Sequence, residues 1–106
     1  MIRVIIEREI AEGLEPFYEE AIANLLYVMS DAPGYLTGES SVEVHRSNCY
    51  VVLTRWTDEA AWNQWFQSSE RQMLADAIRP FLQSEEKITL LRQLILHRDK
   101  ASSHTQ

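Results

Sequence analysis

Residues 50–81 constrain the fold of this chain most strongly, because a predicted strand runs directly into a predicted helix. Residues 50–56 are rich in β-branched and aromatic side chains, which is typical of a strand. The helix that follows carries Trp62, Trp65 and Phe66, and residues three or four positions apart share one face of a helix. We therefore expect an aromatic helix face packed on a strand, where it lines either the core or a pocket.

The helical stretch has clear start and stop signals. Thr57 or Asp58 is expected to cap its first turn, where a side-chain oxygen can accept from a free backbone N–H. Ser68 and Ser69 then interrupt the helix, and residues 69–72 have the spacing of a capping box that starts a new one. The sequence predicts two helical segments with a bend at the serines.

The rest of the chain alternates between strand and helix patterns. Period-two alternation predicts strands, whereas apolar residues three and four positions apart predict an amphipathic helix. Gly38 indicates a bulge or a close backbone approach inside the second strand, and a hairpin turn is expected at residues 46–48. The predicted strands are 2–9, 35–45, 49–56 and 87–96, and the additional helix is 14–29.

The order strand, helix, strand, strand, helix, strand predicts an α+β fold of the ferredoxin-like type. Its four-stranded antiparallel sheet has helices on one face only. The first, third and last strands nevertheless carry apolar residues on both faces. Exposed apolar surface costs about 25 cal/mol per Å², so we expect a second copy to cover the free face. Two such sheets face to face would form a homodimeric α+β barrel.

Length and composition restrict the possible partners. A chain of 106 residues fits one domain, predicted at residues 1–96 with a polar tail at 97–106. The net charge of −6 and the lack of a basic stripe argue against a nucleic-acid partner. No apolar run approaches the about 18 residues that span a membrane. Cys49 is the only cysteine, which argues against disulfides and cysteine metal sites and favours a cytoplasmic location.

Several of these segments together resemble the antibiotic biosynthesis monooxygenase family of dimeric α+β barrels. The resemblance lies in the Pro-Gly-Tyr turn at 33–35, the strand and cap at 50–60, the helix around Trp65, and Ser68-Ser69, within a match over residues 2–94. It implies a monooxygenase without metal, flavin or haem that uses O₂ on a small aromatic quinol or anthrone. In that chemistry the substrate loses a proton, its anion reduces O₂, and a peroxide collapses.

A related branch of the fold degrades haem, and this chain departs from its pattern. That branch needs an axial histidine and a first-strand asparagine, where this sequence has Ala75 and Glu7. Haem degradation is therefore disfavoured. Two alternatives stay open: a non-catalytic barrel that binds a small hydrophobic metabolite, and an isomerase or ring-opening enzyme of the same fold.

The candidate substrate-binding residues are the aromatic side chains Trp62, Trp65 and Phe66. They either pack as core or wall a pocket between helices and sheet. No metal or cofactor ligand is predicted, and the expected ligands are a small aromatic substrate and O₂.

The candidate catalytic residues are Arg8, Arg55 and Tyr18, with the acid and base unassigned. Arg55 either pairs with Glu7 or Glu39 inside the barrel or stabilises a substrate anion. Arg8 lies in the predicted helix-facing row of the first strand.

Overall fold

Alternating apolar residues at the start of the chain form a strand with one buried face. In the computed structural model, which describes residues 1–95, Ile2, Val4 and Ile6 are buried on one side of this strand. Arg3 and Ile5 point to the other side and are half-buried. Because successive side chains of a strand point to opposite faces, the alternation translates directly into two different surfaces.

The secondary structure follows the predicted order. Within residues 1–95 the strands are Ile2–Glu9 (β1), Tyr35–Glu43 (β2), Arg46–Trp56 (β3) and Lys87–Arg92 (β4). The helices are Glu15–Met29 (α1), Glu59–Phe66 (α2) and Ser69–Ile78 (α3), and a 3-10 turn follows at Arg79–Phe81.

The four strands form one antiparallel sheet in the order β2-β3-β1-β4. Val4 on β1 lies opposite Thr54 on β3 and Leu90 on β4, so β1 is paired along both edges. This topology is the ferredoxin-like α+β arrangement, and that prediction is confirmed.

The helices cover the face of the sheet that carries Val4. Helix α1 buries Tyr18, Ile22, Leu25 and Met29, whose spacings of four, three and four place them on one side of the helix. These side chains meet the inward side chains of β1 and β3 in a single hydrophobic core.

The opposite face of the sheet, here called the outer face, is partly apolar. It is formed by the side chains of β1 to β4 that alternate with the core residues. On this face Ile5 and Leu53 are half-buried, whereas Val51 and Leu91 are 38% and 43% exposed. The prediction of apolar residues on both sides of the sheet is therefore confirmed.

The hairpin between β2 and β3 differs from the predicted one. The turn consists of Val44 and His45, and residues 46–48, expected to be the turn, already belong to β3. The physical reason is pairing on both sides of this segment: Arg46 lies opposite Glu43 of β2. Just after β1, the Ile10 N–H donates to the Asn48 carbonyl at 2.8 Å, and the Asn48 side chain donates to the Ile10 carbonyl at 3.0 Å.

The helix caps confirm one prediction and correct another. The Asp58 carboxylate accepts from the Ala61 N–H at 2.8 Å, as predicted. The second cap is Ser68, whose hydroxyl accepts from the Arg71 N–H at 3.1 Å, so the capping box predicted to begin at Ser69 is wrong. Ser68 has the extended backbone that an N-cap needs, whereas Ser69 is already helical.

The end of the last strand is shorter than predicted. β4 stops at Arg92 rather than near residue 96. The predicted domain boundary at residue 96 and the tail at 97–106 lie outside the described residues.

Candidate functional site

A cavity of about 430 Å³ lies where the end of β1 meets α3 and the segment before β4. Its wall is part apolar and part charged. The residues that shape it are Arg8, Ala75, Ile78, Arg79, Leu82 and Glu86. A volume of this size is within the range of small-molecule sites.

Arg8 is the buried charge at this cavity. It continues the row of Val4 and Ile6 on the core face of β1, so the same alternation that buries those residues buries a guanidinium. Its Nε donates to Oε2 of Glu86 at 2.8 Å, and one of its terminal nitrogens donates to the Tyr18 hydroxyl at 3.2 Å. Burial of a charge is tolerated when partners of this kind replace water.

Glu86 links Arg8 to a second arginine. Its other oxygen, Oε1, accepts from the Arg71 guanidinium at 3.1 Å. That guanidinium also lies 4.2 Å above the centre of the Phe66 ring, which is a cation–π contact. The side chains of Arg8, Arg71 and Glu86 are 2%, 12% and 23% exposed. We call these three residues the Arg8–Glu86–Arg71 cluster, and its formal charge is positive.

Two tyrosines, whose rings are in tilted contact, support the cluster from the side of α1. The Tyr18 and Tyr50 ring centres are 4.6 Å apart, and the Tyr50 hydroxyl donates to Glu19 at 2.6 Å. Burial raises the pKa of Tyr18, and the Arg8 guanidinium opposes that rise. Burial also raises the pKa of Tyr50, and the hydrogen bond to Glu19 adds to it. Both phenols therefore stay protonated at neutral pH, and Tyr18 orients Arg8 as a neutral partner.

The three aromatic residues of the predicted pocket wall do not surround one cavity. Trp62 is buried between Trp56 and Phe66, with ring centres 5.6 Å from each. Trp65 is also buried, and it borders a separate cavity of about 350 Å³ beside Pro33, at the end of α1. Phe66 is partly exposed and lies beneath Arg71. A contact of any of the three with a substrate stays a prediction.

The predicted polar residues divide between the two faces of the sheet. Arg8 and Tyr18 are in contact on the core face. Arg55 lies on the outer face, opposite Arg3 of β1 and Thr37 of β2, and therefore cannot reach the cluster. Among the described ion pairs, none joins Arg55 to Glu7 or Glu39, the partners considered from the sequence.

Arg71 and Glu86 were not predicted from the sequence. An arginine in the apolar row of β1 signals that an acidic partner must exist, because an unpaired buried charge is very unfavourable. The signal does not say which of the 16 acidic residues it is, and Glu86 is 78 positions away from Arg8.

The positions that distinguish haem-degrading relatives are also placed by the fold. Ala75 lines the cavity, whereas Glu7 is exposed on the outer face.

Among residues 1–95, no group of three or more His, Cys, Asp and Glu side chains is arranged to hold a metal ion. None of the helices in this part of the chain has the length and hydropathy to cross a bilayer.

Comparison with known proteins gives a consistent family and fold. A family model described as antibiotic biosynthesis monooxygenase matches residues 1–77. No curated protein sequence matches the chain significantly.

Three solved structures illustrate the similarity of fold. A proposed antibiotic biosynthesis monooxygenase of Deinococcus radiodurans has a TM-score of 0.86 at 11% identity, over 93% of this chain and 98% of its own. A conserved protein of Methanosarcina mazei has a TM-score of 0.83 at 17% identity, over 88% and 92% of the two chains. A variant of SnoaB, a cofactor-independent oxygenase from Streptomyces nogalater, has a TM-score of 0.76 at 22% identity, over 91% and 98%.

Proposed function

Because the chain belongs to the antibiotic biosynthesis monooxygenase family, we propose that it is a cofactor-independent monooxygenase that uses O₂ to oxidise a small aromatic of the quinol or anthrone type. The observation that carries this proposal is the Arg8–Glu86–Arg71 cluster, with its buried Arg8, at the edge of a cavity of about 430 Å³. The likeness to a cofactor-independent oxygenase supports it.

The proposed chemistry needs an environment that stabilises a substrate anion. An anthrone loses a proton from its CH₂ group, the anion transfers an electron to O₂, and the two radicals combine to a peroxide. Loss of water from the peroxide leaves a carbonyl, so one oxygen atom enters the product and the other leaves as water. A guanidinium that is already held in place favours the anion, because it needs little reorganisation during the reaction.

In this mechanism each residue of the site has a different role. Arg8 is the group that contacts the substrate anion, since it lines the cavity. Tyr18 is a positioning residue, because its hydroxyl holds the Arg8 guanidinium at 3.2 Å. Ile78 and Leu82 provide apolar walls for the aromatic rings. The proposal assigns no metal, flavin or haem to the protein.

The test is O₂ uptake by purified, metal-free protein with anthrone and menadiol, with ¹⁸O₂ labelling of the product. We expect uptake above the buffer rate with both substrates, one labelled oxygen in the product of anthrone, and a loss of most activity in Arg8→Met. Asn63→Ala, exposed on α2, is the control that should keep activity. Uptake at the buffer rate would overturn the proposal.

An anaerobic arm of the same assay distinguishes the two alternatives. An isomerase or ring-opening enzyme would convert its substrate without O₂. A non-catalytic barrel would be stabilised by the ligand and form no product under either atmosphere.

We also propose that the protein is a cytoplasmic homodimer in which the outer faces of two sheets meet. The partly exposed Val51 and Leu91 support this arrangement, because a second copy would remove their apolar surface from water. The cytoplasmic assignment is supported by Cys49, which forms no disulfide in the described part of the chain. Light scattering of the dilute protein tests the assembly, and a monomeric mass would contradict it.

A further inference from the structure

The charges of the Arg8–Glu86–Arg71 cluster do not balance. Two guanidiniums share the two oxygens of one carboxylate, with distances of 2.8 Å and 3.1 Å. At neutral pH the cluster therefore carries one positive charge more than negative charge. Because Arg8 and Arg71 are only 2% and 12% exposed, water screens that excess weakly.

The other charged groups around the cavity do not cancel the excess. Arg79 pairs with Asp76, and these side chains are 67% and 64% exposed. Glu85 is also exposed at the rim. Solvent screens all three, so their influence on a ligand beside Arg8 is small compared with that of Arg8 and Arg71.

The two guanidiniums have spare donors. Each guanidinium has about five N–H groups. The side-chain hydrogen bonds found in residues 1–95 use two donors of Arg8 and one of Arg71. Arg8 lines the cavity, so a ligand there can reach its remaining N–H groups. Planar guanidinium donors suit a carboxylate or a phenolate oxygen, with which they form charge-assisted hydrogen bonds.

The apolar part of the wall suits an aromatic body, and Gln83, Ser84 and Glu85 line the rest. Ala75, Ile78 and Leu82 contribute apolar surface next to the charged edge. A flat ring that bears an anionic oxygen would bury its carbon atoms against these residues and place its charge at Arg8.

We propose that this cavity binds its aromatic substrate as an anion, an aryl carboxylate or phenolate, with Arg8 as the hydrogen-bonding residue and Arg71 as the source of the uncompensated charge. The proposal names the substrate class of the proposed monooxygenase site and to that extent rests on it. Binding can nevertheless be measured without O₂, so the proposed anion preference and the proposed monooxygenase activity can fail separately. Burial lowers the pKa of Arg71 and Glu86 opposes this, which agrees with an incompletely compensated cation.

The test compares 2-naphthoate with 2-naphthamide by anaerobic titration calorimetry. The two probes share their rings, and only the first is charged. We expect 2-naphthoate to bind about tenfold to a hundredfold more tightly, as for hydrogen bonds to a charged group. Equal affinities, or no binding of either probe, would overturn the proposal.

Variants identify the source of the preference. Arg71→Gln should weaken 2-naphthoate about tenfold and leave 2-naphthamide within about twofold. Arg71→Lys, which keeps the charge, should restore most of the loss, and Glu86→Gln should tighten 2-naphthoate. Arg92→Gln is the matched control, because Arg92 is exposed at the other end of the sheet and does not line this cavity, and it should change neither affinity. A similar loss for both probes in Arg71→Gln would indicate a structural role and contradict the proposal.

Two further experiments follow. The first distinguishes a phenolate ligand from a carboxylate ligand, and the second distinguishes anion binding from oxygenase activity. Titration of 2-naphthol across its ionisation distinguishes a phenolate ligand, whose binding rises with pH, from a carboxylate, whose binding does not. Oxygen uptake with 1,4-dihydroxy-2-naphthoate and with its neutral parent quinol then tests turnover. Equal turnover of both quinols would refute the anion preference and leave the proposed oxygenase activity supported. Selective binding of the anion without O₂ uptake would support the anion preference and refute the oxygenase activity.

Discussion

The Nε atom of Arg8 donates to Oε2 of Glu86 across 2.8 Å, and this bond ties the end of β1 to the residue directly before β4. The two residues are 78 positions apart in the chain. The bond therefore joins two distant segments of the fold as well as lining the cavity, and its loss should affect both stability and binding.

Removal of the shared carboxylate should destabilise the fold. Glu86→Ala leaves two neighbouring guanidiniums without a counter-ion, and loss of one partner of a fully buried pair costs about 3–5 kcal/mol. Since Glu86 keeps some contact with water, we expect about 2–3 kcal/mol in urea denaturation. Asp76→Ala breaks the exposed pair with Arg79 and is the control, with an expected loss below about 1 kcal/mol. Equal losses would show that burial of the cluster does not matter for stability.

The serines between α2 and α3 should differ in their contribution to stability. Ser68→Ala removes the hydroxyl that accepts from the Arg71 N–H, and loss of an N-cap costs about 1 kcal/mol. Ser69→Ala, in the first turn, should change the free energy of unfolding by less than about 0.5 kcal/mol. Thermal or urea denaturation of both variants checks this, and a larger effect at Ser69 would restore the capping box read from the sequence.

The alkaline limit of stability should depend on Tyr50. Its pKa is raised above the ordinary value of 10.0, first by burial and then by the bond to Glu19, so the folded state keeps the proton longer than the unfolded state. The unfolded state then binds fewer protons above about pH 10, and stability falls as the pH rises further. Below that pH both states are protonated and this group adds no pH dependence.

Tyr50→Phe is the variant that tests this effect. It should lower stability at neutral pH, because the 2.6 Å bond to Glu19 is lost, and flatten the decline above about pH 10. Urea midpoints between about pH 8 and 11 measure both effects. An alkaline decline as steep as that of the wild type would contradict the assignment.

The proposed dimer should depend on the outer face of the sheet. Val51→Lys places a charge on β3, one of the two central strands of that face, and should shift the protein toward monomer, since removing a charge from water at an interface is unfavourable. Met73→Lys changes an exposed apolar residue of α3 and should leave the mass in light scattering unchanged. A dimer that tolerates Val51→Lys but not Met73→Lys would place the interface on the helices.

Much of the fold was readable from local patterns. The period-two rows of β1, the helical spacing of α1 and the Asp58 cap each depend on residues within a few positions of one another. The predicted turn at residues 46–48 was wrong because a distant segment pairs there. Ile10, just after β1, forms hydrogen bonds with Asn48, so Asn48 belongs to β3 and the turn lies at Val44 and His45. The boundary between turn and strand was decided by a neighbour that the local sequence does not reveal.

The candidate site shows the same division. The sequence by itself determined that Arg8 would lie in an apolar row and need an acidic partner, because alternation along a strand is a local property. It also determined that three large rings would lie close together on α2. Only the tertiary structure decided that the partner is Glu86, that Arg71 shares it, and that Trp62 and Trp65 are buried away from that cavity. Contacts between distant segments depend on how the elements pack in three dimensions, and no spacing in the chain encodes that packing directly.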